Sequence, residues 1–389
     1  MRIPKRKRAR YLLFLLLIVL GVVFLSVGGC TLVRAGWYRH KIGRGMKQSV
    51  LTDTARLDQI NKIPVLHLYG SPGEMGAQYG TILKKPLNAL KSYMDTLLPK
   101  IMLKRFLAYA ESHEALLPDS VRQELHGIAE ASGVPYTYLA AMNLIPKIRC
   151  STLAAWGSTT QDGKLLMGRN AEYFGMGLAD RGSLVIVYHP KDGIPVAAVS
   201  FLGMVGTFTG VNAEGVCFGN MLVFNANNQD AVENGLPIAL LLRLAAHHAK
   251  SAQEMANILQ SQVHVIPVNV MLADSREAVV LELAGAESRV RRGEGEFLAA
   301  TNYFRTNAMR RNFVSCERYD TLAAAGESAN LDVAAIQAAL HKARIEKLNL
   351  QSVVFEPERM QMHVSVNRVP ASGGPYTVFD LEELFSLEE

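Results

Sequence analysis

Apolar residues along this chain change their spacing several times, and each change predicts a different element. The first block, Tyr11 to Val33, is apolar without a charge inside it. It is long enough to cross a bilayer, which takes about 20 residues. From Ala35 to about Ile63 the pattern becomes polar and mixed, and predicts a tether. Val65 to Gly70 then reads as a strand, and Ser71-Pro72-Gly73-Glu74 as the start of a helix. Apolar positions keep helical spacing from Met75 through Tyr79, Leu90 and Leu97 to Ile101. Asp119-Ser120 opens a further helix with Val121, Leu125 and Ile128 on one face, and Gly133-Val134-Pro135 stops it.

After Cys150 the pattern shortens to strands. Ser183 to Tyr188 and Pro195 to Phe201 flank a turn at His189 to Gly193, and Asn212 to Gly215 makes another. Helices follow from Pro237 and from Ser251. Val268 to Ala273, Ala278 to Leu283 and Ser288 to Arg292 predict a three-stranded meander. Asp332 caps a last helix, before strands at Ser352 to Phe355, Met360 to Val366 and Tyr376 to Phe379. Helix blocks and strand blocks are segregated, so the pattern predicts an α+β layered fold rather than alternating βαβ units.

Composition narrows the function. The formal charge of +6 is accounted for by six cations in the first ten residues, and the remainder is formally neutral. The basic balance therefore marks a tail, not a nucleic-acid-binding face. Cations ahead of the apolar run predict a cytoplasmic N-terminus with the bulk of the chain on the exported side. Gly28-Gly29-Cys30 ends the run in the manner of a bacterial lipoprotein processing site, so Cys30 is either a lipid-bearing residue or part of an uncleaved anchor. The expected organisation is thus a targeting segment over 1–33, a tether over 34–63, a helical segment over 64–149 and a strand-rich segment over 150–389.

Four cysteines stand far apart, and no Cys-x-x-Cys or His-Glu-x-x-His spacing is present. No metal site or cofactor is expected. There is no serine elbow and no phosphate-binding loop. What remains is the stretch from Arg149 to Tyr173. Cys150 precedes Ser151 and Thr152; a turn at Gln161-Asp162-Gly163 follows, then Gly168-Arg169-Asn170 and Glu172. A hairpin over this stretch brings Arg169 and Glu172 back towards the thiol. A thiol near a guanidinium and a carboxylate is a candidate nucleophile. The competing reading is a buried structural cysteine beside a turn and a salt bridge.

Glu74-Met75-Gly76-Ala77-Gln78-Tyr79-Gly80, Glu124-Leu125-His126-Gly127-Ile128-Ala129 and the central Arg-Cys-Ser-Thr … Gly-Arg-Asn-Ala-Glu together resemble a known family. It is that of the N-terminal-nucleophile hydrolases related to penicillin acyltransferase, and the resemblance spans about Val65 to Phe385. It implies a four-layer αββα sandwich made as a precursor, with cleavage between Arg149 and Cys150. The freed α-amine of Cys150 then serves as its own base. The resemblance carries Arg169 and Glu172 over as the pair that holds the amine and substrate, Glu172 standing where the family has Asp. It likewise assigns Asn220 and Asn302 as oxyanion donors and brings Arg318 to the site. Cys217, Cys316, His126 and His264 are expected in the core. The implied activity is hydrolysis of a small N-acyl amide through a cysteine thioester, by a membrane-tethered protein with no nucleic-acid partner. An acyltransferase using a thioester donor, or an inactive lipid- or peptide-binding lipoprotein, are the alternatives.

Overall fold

A computed structural model describes residues 31–53, 55–144, 149–173, 178, 181–227, 235–293, 295–328 and 330–386. Most of the apolar run, with Cys30, lies outside them. Among the described residues no helix is long and apolar enough to cross a membrane.

Strands that are mostly buried on both faces build two sheets. The larger is ten-stranded. It runs β1 (Val50–Leu51), β2 (Arg56–Ile60), β3 (Ile63–Gly70), β6 (Ser183–Pro190), β7 (Val196–Phe201), β8 (Thr209–Asn212), β9 (Cys217–Leu222), β10 (His264–Ala273), β11 (Ala278–Gly285) and β12 (Glu287–Arg292). The smaller has six strands. Its order is β13 (Phe297–Ala300), β4 (Arg149–Gly157), β5 (Gly163–Glu172), β14 (Asn349–Glu356), β15 (Gln361–Val366) and β16 (Thr377–Asp380).

Residue parity shows how the sheets stack. Val65, Val185, Val187 and Met271 of the large sheet share one cluster with Ala154, Met167, Val353 and Phe355 of the small sheet. Their neighbours Leu66, Leu68, Leu184 and Ile186 point the other way, into a cluster with helices α2 (Pro72–Ile82), α3 (Lys84–Leu97), α5 (Asp119–Ser132) and α6 (Tyr136–Leu144). Further along the same sheet Val268, Val270 and Leu272 meet α7 (Ile238–Ala246) and α8 (Ala252–Gln260). Leu153, Ala155, Leu166 and Val354 of the small sheet face α9 (Glu317–Gly326) and α10 (Val333–Lys342). Because successive strand side chains alternate faces, the molecule is layered helix–sheet–sheet–helix.

Two boundaries differ from those read in the sequence. Residues 34–63 are folded rather than a tether: residues 31–45 form a helix, α1, and β2 pairs with β3. Ala35, Ile42, Met46 and Leu57 are buried there. Together with Ala55 and Ile63 these make six buried apolar residues spread through a polar stretch, a pattern too sparse to read as an amphipathic element. The segment after it is not purely helical either, since β3 pairs in parallel with β6, Val65 opposite Val185. Helices α2 to α6, with α4 spanning Lys100–His113, and the β4–β5 hairpin of the small sheet lie between those two strands in the chain.

The α2–α5 crossing is tight. A Cβ at Gly76 would lie 2.1 Å from the Glu124 carbonyl oxygen, and one at Gly127 would lie 2.5 Å from the Gly73 carbonyl oxygen. Glu124, wholly buried, forms a two-pronged ion pair with Arg243 of α7, whose guanidinium also lies over the Tyr188 ring. Burial pushes the Glu124 carboxyl up and the Arg243 charge pulls it down. The bidentate geometry favours the ionised pair.

Candidate active site

The β4–β5 hairpin forms as the Asp162-Gly163 turn predicts. Thr152 stands opposite Arg169, and Cys150 opposite Ala171. Parity directs Cys150 and Arg169 inward between the sheets and Glu172 towards the outer face. Cys150 is fully buried, and its Sγ lies 3.0 Å from Nη2 of Arg169.

Arg169 is held from the opposite sheet. Its Nη2 donates to the Asn220 carbonyl at 2.9 Å, and its Nη1 donates to Thr209 Oγ1. The guanidinium stem crosses directly over β9 at Gly219, where a Cβ would lie 2.3 Å from Arg169 Cδ. That glycine is the reason a long side chain fits between the sheets. Burial lowers the Arg169 pKa from its ordinary value.

The backbone of Cys150 is gripped as well. Its N–H donates to Asn302 Oδ1 at 3.3 Å, and its carbonyl accepts from Arg318 Nη1 at 3.0 Å. Arg318 Nη2 donates to the same Asn302 Oδ1 at 2.6 Å, while Nη1 pairs with Glu172 Oε2 at 2.7 Å. The other oxygen of Glu172 accepts from the Ile345 N–H at 2.5 Å. Arg318 therefore links the Glu172 carboxylate to the Cys150 backbone.

Burial governs the electrostatics. It pushes the Cys150 thiol up to about 11, opposed by Arg169 and Arg318 and reinforced by the Glu172 charge. The Glu172 carboxyl rises to about 7 for the same reason, with Arg318 and the Ile345 N–H pulling it down. In the intact chain the thiol is thus protonated near neutrality.

All six residues expected at the site, Cys150, Arg169, Glu172, Asn220, Asn302 and Arg318, come together in one network. Three of them have further contacts in the intact chain. Asn302 Nδ2 gives one of its two N–H groups to the Leu222 carbonyl at 2.6 Å. Its Oδ1 holds the nitrogen of Cys150. Glu172 makes no side-chain hydrogen bond to Cys150, because three positions along a strand reverse the face that Arg169 occupies. Asn220 is buried with its Oδ1 without a partner, and its backbone oxygen positions Arg169.

Sequence reasoning missed Thr209, Gly219 and the Ile345 N–H. Only Gly219 carried a signal, a glycine within a strand pattern. Cys217, Cys316 and His264 are buried as expected. His126 is exposed and stacks on Tyr136, with ring centroids 4.2 Å apart. Among the described residues no cluster of His, Cys, Asp and Glu could hold a metal.

Residues 158–363 match the family described as acyl-coenzyme A:6-aminopenicillanic acid acyl-transferase. The chain belongs to that family. The match includes Arg169, Glu172, Asn220, Asn302 and Arg318 and begins just after Cys150. Curated relatives include protein dcd1B of Dictyostelium discoideum, 28% identical over 260 residues, which are 58% of this chain and 51% of that protein. Protein dcd1A of the same organism is 26% identical over 235 residues, covering 51% of this chain and 52% of that protein. The chain spans about half the length of these curated relatives. Solved structures similar to this acyl-transferase family member include a Caenorhabditis elegans N-acylethanolamine-hydrolyzing acid amidase ortholog. It is 18% identical, with TM-score 0.43, over 54% of this chain and 93% of that one. A mutant conjugated bile acid hydrolase from Clostridium perfringens is 12% identical, with TM-score 0.45, over 61% of this chain and 95% of that one.

Proposed function

We propose that this family member is a cysteine-dependent acyl-transfer enzyme that hydrolyses linear N-acyl amides after cleavage between Arg149 and Cys150. The observation that carries the reading is the grip on Cys150. Its sulfur lies 3.0 Å from Arg169, its nitrogen 3.3 Å from Asn302 Oδ1 and its carbonyl oxygen 3.0 Å from Arg318. A guanidinium on the sulfur and side-chain partners on the backbone nitrogen and oxygen together support a nucleophile over a structural cysteine.

Cleavage begins when the Cys150 sulfur attacks the Arg149 carbonyl. The peptide C–N bond breaks, leaving Arg149 as a thioester on Sγ and the Cys150 nitrogen as a free amine. Water then hydrolyses the thioester, giving the Arg149 carboxylate and the free thiol. In the matured site the α-amine, with an ordinary pKa of about 7.7–8.0, takes the thiol proton. Asn302 Oδ1 accepts from the amine and fixes its direction, and Arg169 stabilises the thiolate. The thiolate adds to the amide carbonyl, and Asn220 provides the oxyanion contact. The amine product departs with the proton, and water resolves the acyl-enzyme; a second amine in place of water makes the reaction an acyl transfer. The apolar run from Tyr11 to Val33 completes the reading with a membrane anchor, the domain lying on the exported side.

The test is the mass and N-terminal sequence of purified protein, followed by turnover on N-acyl amides of varied chain length. Two fragments meeting at Arg149 and Cys150, with turnover lost in Cys150→Ala, support the reading. An uncut wild type that is nevertheless active defeats the mechanism. Cleaved protein with no turnover on any amide would favour a binding protein instead.

A further inference from the structure

α1 is flanked by two pockets, and the only ionised side chains lining them are cations. One, of about 480 Å³, takes Lys41 and Arg44 from α1 and Lys85 from α3, beside Trp37 and Tyr38. The other, of about 390 Å³, is lined by Lys47, Lys62, Arg181 and Arg368. Neither lining contains a carboxylate among the described residues. No Asp or Glu precedes Asp53, although the chain holds 35 of them. Beyond its first ten residues the chain is formally neutral, so this concentration of cations is local.

α1 also carries exposed apolar side chains. Leu32 is 71% exposed, Val33 73% and Trp37 52%. Lys41 Nζ lies 3.7 Å above the Trp37 ring. α1 is fixed to the domain through buried Ala35, Ile42 and Met46, and a Cβ at Gly45 would lie 2.9 Å from Pro86 Cδ. What α1 touches, the folded domain therefore touches.

We propose that α1 and its two cationic pockets form a docking surface for the anionic headgroups of a phospholipid bilayer, seating the domain on the membrane. Lys and Arg side chains suit lipid phosphates. Trp37 and Tyr38 suit the boundary between headgroups and acyl chains, and Leu32 and Val33 the apolar side of it. A bilayer is favoured over a soluble anion because cations and exposed apolar residues stand together along α1. The apolar run from Tyr11 ends in sequence at Val33, within α1. This surface adds to the proposed anchor and is separable from it.

The experiment uses the full chain reconstituted into vesicles of phosphatidylcholine, alone or mixed with phosphatidylglycerol, with brominated acyl chains. Trp37 quenching is read against a Trp37→Phe baseline, and flotation with the neutral vesicles reports the anchor independently. Quenching should rise with phosphatidylglycerol, fall with salt, and fall in Lys41→Ala/Arg44→Ala and in Lys47→Ala/Arg181→Ala. Each cation removed should weaken docking by about fivefold. Quenching independent of lipid charge and of both double variants would overturn the proposal. So would glycerol phosphate reproducing the change in neutral vesicles, because a soluble anion would then be the occupant.

Discussion

Glu172 is the residue on which the electrostatics of the site turn. Its carboxyl is buried and its pKa stands at about 7, against an ordinary 4.5. A carboxyl raised on folding contributes stability that is fully present below its unfolded pKa and lost as pH rises through the folded one. Glu172→Gln keeps the shape without ionising, so it should gain stability relative to its parent as pH rises from about 4.5 to about 7. Urea denaturation across that range, on a Cys150→Ala background that stays one chain, measures the difference. The opposite trend would mean that pairing with Arg318 outweighs burial.

A second residue-scale prediction concerns the space beneath Arg169. Gly219→Ala places a methyl group where the Arg169 stem runs, 2.3 Å from its Cδ. The guanidinium should leave the sulfur, and turnover should fall by about 10²–10³, the usual cost of removing one stabilising donor. Thr209→Val should act in the same direction with a smaller loss, because the Asn220 carbonyl remains as a partner. Turnover on a single N-acyl amide checks both. Unchanged rates would separate Arg169 from the chemistry.

At the scale of elements, the sequence was readable where local chemistry decides the outcome. The Ser71 capping box, the Ser251 and Asp332 caps and the Asp162-Gly163 turn all sit where their residue types direct. The three-stranded meander is β10, β11 and β12 in register. The site residues were also readable, because their order along the chain resembles a family. Their roles were less so. Period-two alternation already places Arg169 and Glu172 on opposite faces, whereas the partners of Asn302 depend on Leu222 and Arg318, one of them far away in sequence. The docking of residues 34–63 was hidden because pairing of β2 with β3 and contacts with distant helices, not local pattern, hold it.

The same dependence on distant partners sets the stability of the helical layer. Glu124 and Arg243 join α5 to α7 with both side chains buried. Removing one member of a buried pair leaves the other charge uncompensated, at a typical cost of about 3–5 kcal/mol. Glu124→Ala should therefore lose stability of that order in equilibrium denaturation. A loss well under about 1 kcal/mol would show that Arg243 finds another partner, the Tyr188 ring being the nearest candidate.

For the whole molecule, cleavage at Arg149–Cys150 would not divide the fold where it divides the chain. The N-terminal fragment would retain β3, and β3 lies inside the ten-stranded sheet, paired in parallel with β6 from Val65–Val185 to Gly70–Pro190. Helices α2, α3, α5 and α6 from that fragment share a core with Leu184, Ile186 and Tyr188 from the other. The Gly203 N–H of the C-terminal fragment donates to the Tyr79 hydroxyl oxygen of the N-terminal one at 2.7 Å. Asn143, near the end of α6, accepts from the N–H groups of Val205 and Gly206. Sheet pairing, a common core and the Glu124–Arg243 pair all cross the cut. The two fragments should accordingly remain one particle through affinity purification and gel filtration, and separate only in denaturant. Size-exclusion chromatography of cleaved protein, with a tag on one fragment alone, decides the matter. Loss of the untagged fragment under native conditions would mean that the N-terminal segment is a removable propeptide rather than a permanent part of the fold.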